Sequence, residues 1–386
     1  MKTILILSTA DWDVPNKTNK QHMAFHFEKL GFKVLYVESV GLRRPNLNSG
    51  RDLKRILRRL IKAFIPSGRV SDNIWVCSPI SIPFFSESNF ISKFNQILLS
   101  FQVSRSLSKL RIKNFILWSY HPQTSFVQNL DGMIESVYHC VDNLTAIPGI
   151  NRKKFLHDEK IFLSWVNTVF VTSRNLKTQV EKNHSQVHYF PNVVDFNHFQ
   201  TGLVSRVPDD IKNLTGPMIG FHGALSEYKI DFDLFFEVAS MRPSWNFIII
   251  GQEIEGQKNS TIRKLDNLSN VVFLGHKDYQ ILPSYIANFD VGLLPFINND
   301  YTHSMFPMKF YEYIAAQVPV VVSPIDFVDE LKNGFYIANS SNEMIEKIET
   351  ALENGRLSKN EATNIVGQNT WEARLLKMLS IMGIKY

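Results

Sequence analysis

Lys309 and Glu312 stand one helical turn apart in the stretch 301–324, YTHSMFPMKFYEYIAAQVPVVVSP. Residues at that spacing share one face of a helix. Lys309 falls in the first turn predicted after Pro307, a residue whose missing N–H is no loss at a helix start. The helix dipole disfavours a cation there. A lysine set against its own dipole makes sense if an anion sits between them, and the free amides of a helix start are a natural seat for phosphate. Glu312, one turn on, can accept two hydroxyls from a ribose, as acidic residues do in dinucleotide folds. The plainer reading is an amphipathic helix with a surface Lys/Glu pair. The elements that must hold the pair are legible around it. Met308, Phe310, Tyr311, Ile314 and Ala315 recur at helical spacing. Residues 318–322 are a β-branched run of the kind buried in a parallel sheet.

Other candidates sit where strands end. Residues 3–8 read as a strand, 18–30 as a helix stopped by Gly31, and 33–38 as the next strand. That is a βαβ start. Further strands are expected at 73–77, 114–118, 136–140, 168–171 and 187–190. After residue 195 a linker with few regular signals runs to about Gly216. A second strand–helix series then begins at Pro217, with strands at 218–222, 246–250, 271–274 and 290–294, and a last helix over 370–382. Ligand clefts form at the carboxyl ends of such strands. His121 follows one strand end, in Ser119-Tyr120-His121-Pro122, and can hydrogen-bond a ligand hydroxyl or a developing charge. Asp142 follows the next, where it either binds hydroxyls or caps the loop. Gly223 follows the first strand of the second series and allows close backbone approach. Asp11-Trp12-Asp13 and Asp231-Phe232-Asp233 are D-x-D pairs that could hold a divalent ion, but they read better as loop and cap residues.

At 386 residues and 44% hydrophobic content, the chain suits two ordinary soluble domains. Two cysteines, Cys77 and Cys140, give neither a disulfide framework nor metal spacing, and are expected in the core of a protein from a reducing compartment. The start, MKTILILSTADWD, is short for a signal sequence and reads as a first strand. No apolar run approaches the roughly 18 residues that span a bilayer. The net charge of +6 fits an anionic partner. It concentrates in residues 43–62, where Arg51, Arg55, Arg58, Arg59 and Lys62 face away from Leu53, Ile56, Leu57, Leu60 and Ile61 at helical spacing. A basic amphipathic helix reads as a membrane-surface element or as a helix on the sheet with a solvated face. Nucleic acid is disfavoured, because no aromatic residues interleave with the basic ones.

The pattern P-x-K-x-x-E-Y-x-A-A-x-x-P-V-V over 307–321 resembles the donor-binding segment of retaining glycosyltransferases of family 4. His121-Pro122 and Pro191-Asn192-Val193-Val194-Asp195 resemble two further elements of that family. The resemblance implies an α/β chain of the GT-B fold, two doubly wound Rossmann-like domains facing a central cleft. It divides the chain into an acceptor domain over 1–195, a donor domain over 196–367 and a C-terminal helix over 368–386 crossing back to the first domain. It implies Gly223, Lys229, Ser304, Phe306, Met308, Lys309 and Glu312 at a nucleotide-sugar, with Lys309 and His121 at the reacting centre and Asp142 on the acceptor side. Departures are visible. Ser304 stands where the first Glu of an E-x7-E motif is usual, Ala224 where an Arg grips the phosphates, and Gln317 where a Gly ends the helix, so an altered helix end is expected there. The implied reaction moves a sugar to a glycan or lipid-linked glycan acceptor in cell-surface polysaccharide synthesis. It requires no metal or cofactor, and is cytoplasmic or peripheral on an anionic inner membrane face. Two other readings stay open: a nucleotide-sugar 2-epimerase of the same fold, and a non-catalytic polybasic membrane adaptor.

Overall fold

The computed structural model describes residues 2–14, 17–39, 67–81, 89–253, 260–331 and 333–385. The basic segment with Arg51, Arg55, Arg58, Arg59 and Lys62 lies outside the described residues. The chain divides into two compact units, Met1–Pro191 with Leu375–Tyr386, and Asn192–Arg374.

The first unit is built on an eight-stranded sheet in the order β3-β4-β2-β1-β5-β6-β7-β8. Its strands are β1 (Thr3–Leu7), β2 (Lys33–Val37), β3 (Gly68–Arg69), β4 (Ile74–Cys77), β5 (Phe115–Ser119), β6 (Met133–Cys140), β7 (Thr168–Val171) and β8 (Val187–Tyr189). All pair in parallel except β3, a two-residue antiparallel edge on β4. β1 and β5 are buried along their whole length, as unbroken apolar runs in a parallel sheet should be. The helix between β1 and β2, Asn19–Lys29, opens with a capping box of Thr18 and Gln21, and Gly31 beyond it takes φ 82°. Cys77 and Cys140 are buried and unpaired with each other.

The second unit carries β9 (Met218–His222), β10 (Asn246–Ile250), β11 (Val271–Gly275), β12 (Val291–Leu294), β13 (Val320–Val322) and β14 (Phe335–Ile337). They form one parallel sheet in the order β11-β10-β9-β12-β13-β14, a doubly wound arrangement. The strand order reverses between β9 and β12, and ligands in such folds bind at that switch point, outside the carboxyl ends of the strands. Here β9 and β12 pair over only two residues, Ile219 with Val291 and Gly220 with Gly292. Beyond that they part, and the Tyr313 hydroxyl takes over. It accepts from the His222 amide at 3.1 Å and donates to the Gly220 carbonyl at 3.2 Å. The ring fits because residue 292 has no side chain; a Cβ there would meet Tyr313 ring atoms at 2.7 Å.

The stretch after residue 195 is no plain linker: Asp195 caps a short helix, Phe196–Gln200, by accepting from the His198 amide at 3.2 Å. Five residues are too few for an apolar period to emerge. Nor is the end of the Met308–Ala315 helix altered by Gln317. Val318 N–H donates to Tyr313 O, and Gln317 N–H to Ile314 O, both at 2.9 Å, which is the Schellman closure. Gln317 itself adopts φ 61°, the left-handed conformation that glycine would take at roughly 1 kcal/mol less cost. Arg356 backs this end, donating to the Ala316 and Phe289 carbonyls at 2.7 Å each.

Candidate functional site

Pro307 is the N-cap of the Met308–Ala315 helix rather than its first residue, with ψ 124°. The proline has no N–H, and the amides of Met308 and Lys309 make no hydrogen bond among the described residues. They are the orphan donors of a helix start. Lys309 is half-buried and reaches back over the end of β9. A Cβ on Gly223 would lie 2.3 Å from Lys309 Cε and 2.8 Å from its Nζ. The ammonium sits 5.5 Å from the centroid of Phe221. Gly223 has φ 127°, a conformation open to glycine alone in practice.

Lys229 joins this group. Its ammonium lies 4.9 Å from the ring centroids of both Tyr228 and Tyr301, which pack edge to face. Neither lysine pairs with a carboxylate among the described residues. Burial lowers the Lys309 pKa to about 8, the neighbouring Lys229 charge adds to that, and Glu312 opposes it. A second positive charge near Lys309, at a helix start with free amides, suits an anion.

Glu312 is buried one turn along the same helix. Its carboxylate lies 3.1 Å from His222 Nε2, and its charge also raises the pKa of Tyr279, second to that phenol's burial. Tyr279 stacks on His198 with centroids 4.2 Å apart. Gly223, Lys229, Lys309 and Glu312 therefore come together at the switch point of the second sheet. Ser304 and Phe306 do not present side chains there. The Ser304 hydroxyl donates to the Asp300 carbonyl at 2.9 Å within its own turn. Phe306 stacks on Tyr311 at 5.4 Å, and its carbonyl accepts from Asn192 at 2.5 Å. Both D-x-D pairs fare as loop and cap residues: Asp231 caps the Phe232–Met241 helix, and Asp233 accepts from Thr261 at 2.7 Å. Among the described residues no cluster of His, Cys, Asp and Glu could hold a metal ion.

In the first unit, the switch point falls between β1 and β5, and His121 follows β5 there. It is fully buried rather than an exposed loop residue, with Nδ1 sealed and unbonded among the described residues. Burial alone lowers its pKa to about 4, so the imidazole is neutral near pH 7. The Ser119 hydroxyl fixes the turn, donating to the His121 carbonyl at 2.6 Å. Asp142, after β6, lies 3.9 Å from Lys20, whose ammonium also sits 5.4 Å from the Tyr120 ring centroid. Lys20 links the two strand ends and was not expected from sequence; its helical position gives no apolar or motif signal.

Two parallel-sheet Rossmann-like units of these topologies make the fold GT-B. Residues 216–354, the part that holds Gly223, Lys229, Lys309 and Glu312, match the family described as Glycosyl transferases group 1. Among curated proteins, the chain is 26% identical over 218 residues to TuaH of Bacillus subtilis strain 168, named as a teichuronic acid biosynthesis glycosyltransferase. That match covers 53% of this chain and 54% of TuaH, so it spans about half of either protein. Among solved structures, the sucrose-phosphate synthase of Thermosynechococcus elongatus superposes with a TM-score of 0.71 at 14% identity, over 99% of this chain and 98% of that one. Anabaena HepE, solved with UDP-glucose, gives a TM-score of 0.66 at 15% identity, over 98% and 100%.

Proposed function

We propose that this chain is a retaining glycosyltransferase of family 4 that moves a sugar from a nucleotide-sugar to a glycan or lipid-linked glycan acceptor in cell-surface polysaccharide synthesis. The observation that carries the proposal is the anion seat at Met308 and Lys309, opposed by Lys229, with Glu312 one turn away. In this reading the amides and both lysines hold the diphosphate, and Glu312 accepts the ribose hydroxyls. Negative charge develops on the diphosphate as it leaves, and fixed donors aimed at it supply the main stabilisation. The departing phosphate takes the proton of the acceptor hydroxyl. That accounts for a mechanism without a glycosidase-type carboxylate pair. His121, neutral near pH 7, serves as a hydrogen-bonding group rather than a cation, and Asp142 orients acceptor hydroxyls. The naming of TuaH for teichuronic acid supports a surface polysaccharide, and the UDP-glucose held by HepE supports a nucleotide-sugar donor.

The test is calorimetry with UDP, GDP and dTDP, followed by slow hydrolysis of the matching sugar donors. One diphosphate should bind, and Glu312→Ala should weaken it at least about tenfold, the worth of hydrogen bonds to a charged group. Unchanged affinity in that variant rejects the ribose contact. An epimerase would instead interconvert a nucleotide-sugar with no acceptor present, and an adaptor would bind none.

Association with an anionic membrane belongs to the same proposal. No described helix is long and apolar enough to cross a membrane. The Asn89–Lys109 helix, however, exposes Phe90, Phe94, Ile97 and Phe101 along one face, beside Lys93 and Arg105. Apolar anchors among cations suit a lipid surface. The protein should sediment with phosphatidylglycerol vesicles at low salt and be released at high salt, because attraction to anionic headgroups is screened within a Debye length. A protein left in the supernatant at low salt rules this out.

A further inference from the structure

His222 is the last residue of β9, next to Gly223, and belongs to no motif read from the sequence. Only 5% of it is exposed. Its Nε2 is sealed from solvent and makes no aligned hydrogen bond with any described residue. The group facing that nitrogen is Glu312, with Oε2 at 3.1 Å. At that distance a protonated ring makes an ion pair, and a neutral ring with its proton on Nε2 presents a dipole to the carboxylate. Glu312 in turn makes no side-chain hydrogen bond among the described residues, an expensive state for a buried carboxylate. Its oxygens are not sealed as the imidazole nitrogen is. One side of the carboxylate thus meets His222, and the remaining acceptor capacity is open.

The imidazole is itself held firmly. Tyr313 packs against it edge to face, with centroids 5.1 Å apart at 85°, and the Tyr313 hydroxyl accepts from its backbone N–H at 3.1 Å. Glu312 and Tyr313 are successive residues of one helix, so β9 and that helix meet through both. A buried carboxylate with two freely rotating oxygens could follow a ligand that lacks one hydroxyl. A carboxylate whose Oε2 is drawn to the imidazole 3.1 Å away is less free to do so, and its open lone pairs then demand a donor at each place where the ligand should have one.

We propose that His222 is a positioning residue which fixes Glu312 and so makes the pocket selective for ribonucleoside over 2′-deoxyribonucleoside diphosphates. The proposal rests on the reading of Glu312 as the ribose ligand. It adds a residue from another element, and a substrate class: donors built on UDP, GDP, ADP or CDP rather than on dTDP.

The test compares each ribonucleoside diphosphate with its own 2′-deoxy counterpart by calorimetry, in the wild type, in His222→Phe and in His222→Gln. The wild type should prefer the ribo form about tenfold or more, the worth of a hydrogen bond to a charged group. His222→Phe should reduce that ratio to about twofold or less by weakening the ribo form alone. His222→Gln, which can still donate toward Oε2, should recover part of it. A merely structural defect lowers both affinities alike and leaves the ratio intact, and that result overturns the proposal. So does a wild type that binds ribo and deoxy forms equally. A wild type that binds no nucleoside diphosphate overturns the underlying functional reading as well, so the two failures are distinguishable.

Discussion

Lys309→Ala should lower turnover about 100- to 1,000-fold, the usual consequence of removing one fixed donor from a developing oxyanion. The size of the effect follows from the surroundings. In the proposed reading Ala224 supplies no charge to the diphosphate, so Lys309, Lys229 and two amides would carry its neutralisation. A pH dependence should accompany it. With the Lys309 pKa lowered to about 8, the ammonium is charged below that pH and loses its proton as pH rises through it. Diphosphate affinity should therefore be flat below about pH 8 with respect to this group. Above it, affinity should fall by about tenfold per pH unit, the slope of one linked proton. Lys309→Met should abolish the slope. Stability should move the opposite way. A lysine whose folded pKa is depressed destabilises the folded state while both states are protonated, and this penalty fades as pH rises from about 8 toward the unfolded value. Near pH 7 the methionine variant should thus melt higher than the ligand-free wild type, by roughly 1–3 °C for a chain of this size. A variant that keeps wild-type turnover, or that loses activity and melts lower, would show that Lys309 is there for packing alone.

Gly223→Ala should weaken diphosphate binding by about 10- to 100-fold, through two effects that can be separated. The first is strain, since φ 127° is hard for any residue with a Cβ and costs about 1–3 kcal/mol of stability. The second is displacement. The new methyl would sit 2.3 Å from Lys309 Cε, and the end of a lysine is what gives way. Binding is then lost because the ammonium is moved off the phosphate seat. A double-mutant cycle with Lys309→Ala reads this directly. If Gly223 acts through the lysine, the double variant binds no worse than Lys309→Ala alone, whereas independent effects add. Additive losses in calorimetry would break the link between the two residues.

Much of this site was legible because it is local. Lys309 and Glu312 lie in one helix, and the free helix start, the glycine at a strand end and the apolar strands each leave a signature over a few residues. The two sheets were legible for the same reason: β1, β5 and β13 are unbroken apolar runs that only a parallel sheet covers on both faces. What escaped is long-range. His222 meets a carboxylate 90 positions away, and a histidine closing an apolar strand has no period to betray it. The one available signal was a polar residue directly before a strand-end glycine. The helical spacing of Met308, Phe310, Tyr311, Ile314 and Ala315 marks one apolar face and leaves Tyr313 outside it. Residues Phe310 to Ala315 are all buried, since the helix is covered on several sides. Ser304 was placed at the donor by motif position, while its hydroxyl goes to the turn that delivers the helix. Gln317 was expected to distort the helix end because glycine is preferred there, but the Schellman bonds prevail and the residue accepts the unfavourable torsion.

That torsion bears on how freely the sequence can drift. A side chain held left-handed at a loop that needs glycine leaves the protein about 1 kcal/mol short of what its backbone could support. Most substitutions destabilise by amounts of that order, so Gln317 leaves this unit less margin for further changes than glycine would. Gln317→Gly would widen the range of variants of this unit that still fold, without touching any group of the proposed site.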